Sequence, residues 1–311
     1  MNQNININDL ISKLLEATDT KSIKIKTAKT LFFNCLKTNN ADNDTINYYK
    51  NIFYRIDRFF STNNIDETSQ INDKILMEFI TDCMKDNLSA NYINKLVGAI
   101  KYMIRTLAKF GYIDYVEFKI KKLKEVENRI NSIEQTTLSK ILNFVATQDY
   151  KTKSIVYLLL ATGVRRKELA NIKLENLDFN KNSITLETTK TKVIRTCFFT
   201  NEVKDILKIY LRDFKPKTYL FEGSMPGKAI PPRNISKVLE KIKVCLEIDS
   251  LSAHQFRHTF GTCIFNASLD IELTRELLGH SSYNMTRRYI HNSKERLREK
   301  YDLYNPLSIT K

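Results

Sequence analysis

Proline and long apolar runs are both scarce in this sequence. The chain has 5 prolines among 311 residues, and the first of them is Pro216. Because proline breaks the interior of a helix, the first two-thirds of the chain can form uninterrupted helices. No apolar run approaches the ~18 residues of a membrane span, so we expect no membrane partner. Residues 1–4 lack the basic and apolar regions of a secretion signal.

Cysteine is also sparse, and its spacing is irregular. The 5 cysteines are odd in number, lie far apart and form no CxxC pair. This pattern argues against a disulfide framework and against a zinc knuckle. It indicates a cytoplasmic protein.

Several catalytic motifs are missing. The sequence has no HExxH motif and no spread of acidic residues suited to a two-metal nuclease. Residues 223–229 resemble a phosphate-binding P-loop, but three residues instead of four separate the glycines, and Ala229 follows the lysine. We therefore interpret this segment as a turn, and we expect neither a metal nor a nucleotide cofactor.

Positive charge, by contrast, is abundant. The chain carries 50 Lys and Arg residues against 35 Asp and Glu residues, a formal net charge of +15. This excess favours a polyanionic partner such as nucleic acid. The alternative is compositional: Lys, Asn and Ile are all heavily used, and a basic solvated surface need not bind anything.

The first third of the chain has helical periodicity. Between residues 45 and 60, apolar side chains recur at spacings of 3 and 4, which predicts a helix with Asp44 as its N-cap. Further helices are expected over Lys74–Lys85 and from Ser89 to about Gly111. A chain of this length predicts two domains. We expect an N-terminal extension at residues 1–23 and a helical domain at residues 24–118.

The remainder divides into a linker, a second domain and a tail. Residues 119–132 are basic and weakly periodic, which is typical of an interdomain linker, although they could also continue a helix. Residues 133–291 alternate helical patterns with two strands, Ser183–Glu187 and Val193–Phe199. The predicted fold is mainly α with a small antiparallel β-sheet, and two such domains could close around a duplex as a clamp.

The histidines are confined to one region. All four lie between residues 251 and 291. His254 and Arg257 are three residues apart, so on a helix they share a face. His280 follows a glycine and precedes Tyr289 by nine residues. Imidazole, guanidinium and phenol without a carboxylate cluster suit a phosphodiester: arginine holds the phosphate oxygens, histidine moves protons and tyrosine attacks.

Two other segments carry candidate residues. Gly163 interrupts an apolar helix, and Arg165 stands at the start of the next one. Lys190 and Lys192 lie in the turn between the two predicted strands. Lysines in such a turn are usually solvated, but these could reach into a DNA groove.

Together these residues resemble the tyrosine recombinase (phage integrase) family, and in particular its Xer-like members. The resemblance covers roughly residues 133–300 in order and spacing. It depends on the segments Thr162-Gly163-Val164-Arg165, Lys190, His254-x-x-Arg257, Leu278-Gly279-His280 and Tyr289. It implies a two-domain DNA clamp in which residues 24–118 form a SAM-like core-binding domain and residues 133–291 an α+β catalytic domain.

The resemblance also implies roles. Tyr289 attacks a DNA phosphate and becomes joined to the 3′ side, which releases a 5′-hydroxyl. Arg165 and Arg257 hold the non-bridging oxygens. A free phenol has a pKa near ~10, so the nucleophile needs neighbours that take its proton. His254 matches the acid/base position, and His280 matches the histidine that bonds the phosphate.

The leaving oxygen needs a proton as well. Lys190 matches the family's general acid, with Lys192 a close competitor, and the strand that follows lacks the proline usual there. Beside the site, His258 is expected to be structural. Other tyrosines are rival nucleophiles that only their spacing disfavours; they are Tyr283, Tyr301 and Tyr304.

In the helical domain, a polar face lies opposite the apolar stripe of the helix that follows Ser89. Such a face is usually solvated, but in this family it enters the major groove. We expect DNA contacts from it and from the hairpin turn; the residues are Asn94, Lys95, Lys101, Arg105 and Lys192.

These patterns predict a site-specific recombinase in the cytoplasm, associated with the nucleoid. Its partner would be double-stranded DNA with an inverted-repeat site, bound by a dimer on one site and by a tetramer in synapsis. The tail, residues 292–311, would pack on a neighbouring protomer. The little sequence ahead of residue 24 favours an Xer-like or mobile-element role. A type IB topoisomerase-like enzyme and a non-catalytic DNA-binding protein are the alternatives.

Overall fold

A computed structural model of the protein describes residues 21–125, 132–187, 194–289 and 301. Most of the expected N-terminal extension, the hairpin turn with both of its lysines, and nearly all of the tail lie outside these ranges. The chain separates into two units, Met1–Glu127 and Asn128–Lys311. The finer domain boundaries expected from the sequence stay a prediction.

The described part of the first unit is helical. An apolar stripe along each helix faces a shared core, in which Phe32 packs edge-on against Phe53 and Tyr102 at centroid distances of 5.8 and 5.5 Å. Burying a phenylalanine such as Phe32 or Phe53 stabilises the fold by about 1.5–3 kcal/mol relative to leaving it exposed. The helices are α1 (Ile25–Thr38), α2 (Asn43–Thr62), α3 (Asp73–Lys85) and α4 (Ala90–Lys109).

Side-chain caps fix where these helices begin. The prediction of Asp44 as the cap of α2 is wrong: Asp42 caps the helix, and its carboxylate accepts a hydrogen bond from the amide of Thr45 at 2.7 Å. Asp44 lies in the first turn, where its negative charge still interacts favourably with the helix dipole. Ser89 caps α4 and accepts a hydrogen bond from the amide of Tyr92.

The stretch expected to be a linker begins as an extended strap on α4. The side chain of Asn94 donates to the carbonyl of Leu123 at 2.9 Å and accepts from its amide at 2.8 Å, as a neighbouring strand would. Lys101 donates to the carbonyl of Ile120 at 2.7 Å. Residues 119–125 therefore pack as part of the first unit.

The described part of the second unit combines helices with a small sheet. Strands β1, β2 and β3 pair antiparallel in that order, with Leu177 opposite Ile184 and Ser183 opposite Phe198. Both predicted strands are confirmed. Strand β1 was not predicted, because two residues are too few to show the alternation of a strand. The elements are α5 (Gln135–Val145), α6 (Tyr150–Thr162), α7 (Arg166–Ala170), β1 (Leu177–Asp178), β2 (Ser183–Glu187), β3 (Ile194–Phe198), α8 (Asn201–Phe214), α9 (Pro232–Cys245), α10 (Ala253–Ser268), α11 (Ile271–Leu278) and α12 (Tyr283–Thr286).

Helix α6 forms the centre of this unit. Asp149 caps it by accepting from the amides of Lys151 and Thr152. Leu158 and Leu159 are fully buried in its last turns, and α8 and α10 both pack against it. Among the described residues, no helix is long and apolar enough to cross a bilayer.

Candidate active site

The C-terminus of α6 places the first arginine. Gly163 ends the helix with φ +58°, and an added Cβ would lie 2.5 Å from the ring of Phe260, so a glycine is required there. Two residues later, Arg165 becomes the N-cap of α7. Its guanidinium donates to Oε1 of Glu168 at 2.8 Å, and its Nη2 lies 3.4 Å from the carbonyl oxygen of Gly279.

Helix α10 supplies the second arginine. Arg257 is 3% exposed, and its two terminal nitrogens donate to the carbonyls of Gly163 and Leu278, each at 2.7 Å. Burial, together with the cations of Arg165 and Arg195, lowers the pKa of Arg257 to about 9. The guanidinium therefore keeps its charge at neutral pH.

The turn after α11 places His280. Gly279 adopts φ +62° and ends the helix, and the amide of His280 bonds back to the carbonyl of Arg275. Its Nδ1 lies 2.8 Å from the hydroxyl of Thr286. Burial, and after it the charges of Arg257 and Arg165, lowers the pKa of His280 to about 3. The imidazole is therefore neutral at physiological pH and can share a proton without adding charge.

Tyr289 ends the 3₁₀ turn that follows α12. Its residue is 2% exposed, and its ring lies parallel to that of His280, with 6.3 Å between centroids and 12° between planes. Gly261 of α10 makes room for it, because an added Cβ would come within 2.7 Å of the tyrosine Cζ. The phenol hydroxyl thus faces the arginine-bearing helix.

A histidine expected to be structural contacts this hydroxyl. Nδ1 of His258 lies 3.0 Å from the oxygen of Tyr289, and the tautomer decides which of the two donates. The exposed ring of His254 meets His258 edge-on at 4.2 Å. The rings of His258 and His254 thus lie one after the other between the buried phenol and the surface. Their spacing of four residues on one helix was the available sequence signal.

Two further residues went unrecognised in the sequence. Glu168 accepts from Arg165 and, at 2.7 Å, from Arg195 of β3. Burial alone would raise the pKa of Glu168, but the charge of Arg195 and the hydrogen bonds and charge of Arg165 lower it. Arg165 and Arg195 thus both bond to one carboxylate. Arg257 adds a third guanidinium to the site and bonds to the same Leu278 carbonyl as Arg195. This excess positive charge suits an anion such as a phosphodiester.

The structure therefore brings together Arg165, Arg257, His280 and Tyr289. His254 contacts the ring of His258, which in turn contacts the Tyr289 hydroxyl. Lys190 lies outside the described residues. Among the described residues, no three His, Cys, Asp or Glu side chains are grouped so that they could hold a metal ion.

The predicted DNA-contact residues lie elsewhere. Asn94 and Lys101 bond to the 119–125 strap, whereas Lys95 and Arg105 are exposed on α4. Lys192 lies outside the described residues. Contact of any of these five with DNA stays a prediction.

Comparison with known proteins identifies the relatives of this chain. Tyrosine recombinase XerC of Oceanobacillus iheyensis is 26% identical over 284 residues, covering 86% of this chain and 92% of its own. Among solved structures, XerH site-specific recombinase bound to difH substrate matches with a TM-score of 0.70 and 20% identity, covering 96% of this chain and 94% of the other. A lambda integrase dimer bound to a COC′ core site matches with a TM-score of 0.71 and 13% identity, covering 86% and 95%. The two structures share the fold.

The phage integrase family matches residues 131–296, which span the whole cluster of arginines, histidines and Tyr289 and more than half of the chain. The chain is thus a member of the phage integrase family, the family of tyrosine recombinases.

Proposed function

We propose that this chain is a site-specific DNA recombinase that cuts and rejoins strands through a 3′-phosphotyrosyl intermediate. The proposal rests on the groups that surround the Tyr289 hydroxyl. A hydrogen-bonded imidazole, a stacked imidazole and buried arginine are gathered around one phenol in a member of the phage integrase family. An excess of fixed positive charge beside a nucleophile is what phosphoryl transfer requires.

Two arginines bind the phosphate. The side chain of Arg165 is 38% exposed and can meet a non-bridging oxygen at the surface. Arg257 lies beneath it, fixed by two carbonyls. Because a buried charge is screened less than an exposed one, Arg257 stabilises the negative charge that builds on the phosphate oxygens in the transition state.

The nucleophile passes its proton to the histidines. The Tyr289 hydroxyl gives its proton to His258, and His254 connects that ring to the solvent. The phenol oxygen forms a bond to phosphorus while the bond from phosphorus to the 5′ oxygen breaks. Lys190 protonates this leaving oxygen. The tyrosyl ester conserves the bond energy, so rejoining reverses the same steps and needs no nucleotide cofactor.

The substrate is double-stranded DNA with an inverted-repeat site, bound by a dimer and joined to a second site in a tetramer. The tail, residues 292–311, packs on the neighbouring protomer. The role is that of an Xer-like recombinase or of a mobile-element integrase. Relatives of both kinds support it: XerH, whose structure holds difH substrate, and the Tn1549 transposon integrase, whose structure holds transposon right end DNA.

Covalent trapping tests the proposal. A pool of duplexes with randomised arms around a nicked spacer lets the short leaving strand diffuse away after cleavage, so the tyrosyl adduct accumulates. Adducts recovered in detergent are sequenced to define the site. We expect Tyr289→Phe to form none, because phenylalanine has no hydroxyl, while Tyr283→Phe, an exposed neighbour, forms them as wild type does. Adducts on Tyr289→Phe would disprove the assignment.

A further inference from the structure

The more apolar face of strand β3 is the one that is exposed to solvent. Its side chains alternate between outside and inside, and Ile194 and Phe198 are 65% and 57% exposed, whereas Arg195 is 7% exposed. Shifting a strand by one residue exchanges its two faces. A shift would bury the isoleucine and the phenylalanine and would return the arginine to water. The observed register gives up that apolar burial and also bears the cost of desolvating a guanidinium.

The bonds of Arg195 explain this register. Its Nη2 donates to Oε2 of Glu168 at 2.7 Å, and its Nη1 donates to the carbonyl of Leu278. Glu168 uses its other oxygen for Arg165, and the Leu278 carbonyl also accepts from Arg257. Arg195 therefore shares one partner with each of the two arginines that bind the phosphate.

Arg195 also fits against the turn that carries His280. An added Cβ on Gly279 would overlap the Arg195 guanidinium and its Cδ, so the arginine packs directly on the glycine backbone. Its charge contributes to keeping the adjacent imidazole neutral. Strand β3, helix α7 and the turn after α11 are thus joined by one side chain.

We propose that Arg195 is a positioning residue of the recombinase reaction, which sets the geometry of Arg165, Arg257 and His280 without touching DNA. The inference rests on the proposed function. Both terminal nitrogens of Arg195 are bonded within the protein, and the side chain is buried, so it acts through its partners. Planar, fixed donors make this possible. A lysine keeps the charge but offers a single flexible ammonium in place of the fork.

The experiment measures the rate of adduct formation at saturating DNA, on the duplex that wild type selects from the nicked pool, and separately the DNA affinity. We expect Arg195→Lys to slow adduct formation by roughly tenfold to a hundredfold, because small misplacements at a reacting centre cost that much. DNA affinity stays close to that of wild type. In Arg195→Ala, ethylguanidinium in solution restores part of the rate, and ethylammonium does not.

Arg55→Lys is the matched control. Arg55 is a mostly buried arginine in the first unit that pairs with the carboxylates of Asp82 and Asp86. Its loss tests general destabilisation, and thermal unfolding is recorded for each variant. A wild-type rate in Arg195→Lys would overturn the positioning role, as would an equal slowing in Arg55→Lys. If wild type itself forms no adduct, the proposed function fails instead.

Discussion

His280 couples the chemistry of the site to its stability. Its folded-state pKa of about 3 lies below the ordinary value of 6.5. Between these two pH values, His280 is protonated in the unfolded chain and neutral in the folded chain. The contribution of His280 to the free energy of unfolding is therefore full above pH 6.5. It falls as the pH drops toward the folded-state pKa, by up to about 1.4 kcal/mol per pH unit.

We therefore expect the stability difference between wild type and His280→Asn to depend on pH. Asparagine can keep a hydrogen bond to Thr286 but cannot titrate. Urea unfolding at pH 6.5 and at about pH 4.5 measures the free energy of unfolding of both proteins. The wild type should lose more stability than the variant. Parallel losses would show that the imidazole titrates normally in the fold.

At the residue level, the sequence indicated which side chains would lie together but not the groups to which they bond. Arg165, Arg257, His280 and Tyr289 were identified from residue type, spacing and family resemblance, and the structure gathers them. Arg195 was missed because alternation in β3 points to its apolar residues as the buried ones. The face that carries Arg195 is buried against partners that are distant in the chain, such as Glu168.

Helix α10 shows how one element serves the site. A glycine in its interior, Gly261, weakens the helix but admits the ring of Tyr289. The predicted ends of α3 and α4 lie close to those observed, because caps and apolar periods are local signals. The need for Gly261 is not local. It depends on a residue nearly thirty positions later in the chain.

Gly261→Ala should therefore move Tyr289. The added Cβ would meet the phenol ring at 2.7 Å and the side chain of Leu278 at 3.0 Å. We expect faster hydrogen exchange in residues 283–289 and no gain in melting temperature. Gly98→Ala is the control: it lies inside α4 with no atom within 4 Å of the added carbon, so it should stabilise by up to about 1 kcal/mol. Unchanged exchange in Gly261→Ala would contradict the close packing.

For the whole molecule, the excess of positive charge predicts strongly salt-dependent DNA binding. Each lysine or arginine that neutralises a phosphate releases counterions and steepens the fall of affinity with salt. Lys95 and Arg105 are exposed on α4, the helix whose polar face was predicted to meet DNA.

Lys95→Ala and Arg105→Ala should each weaken binding across sequences and reduce the slope of log affinity against log salt by about one. Titration of a labelled duplex at several salt concentrations measures this slope. Lys50→Ala, an exposed lysine on α2, should leave it unchanged. Equal effects of all three substitutions would mean that only net charge matters and that α4 makes no specific contact.

The anchors of Arg257 have an evolutionary consequence. Both of its terminal nitrogens end on main-chain oxygens, those of Gly163 and Leu278. A backbone oxygen persists whatever the side chain, so substitutions of the side chains around Arg257 leave both acceptors in place, although the position of Gly163 itself stays restricted to glycine. A substitution near Arg257 can therefore change the side chains around it without removing either acceptor.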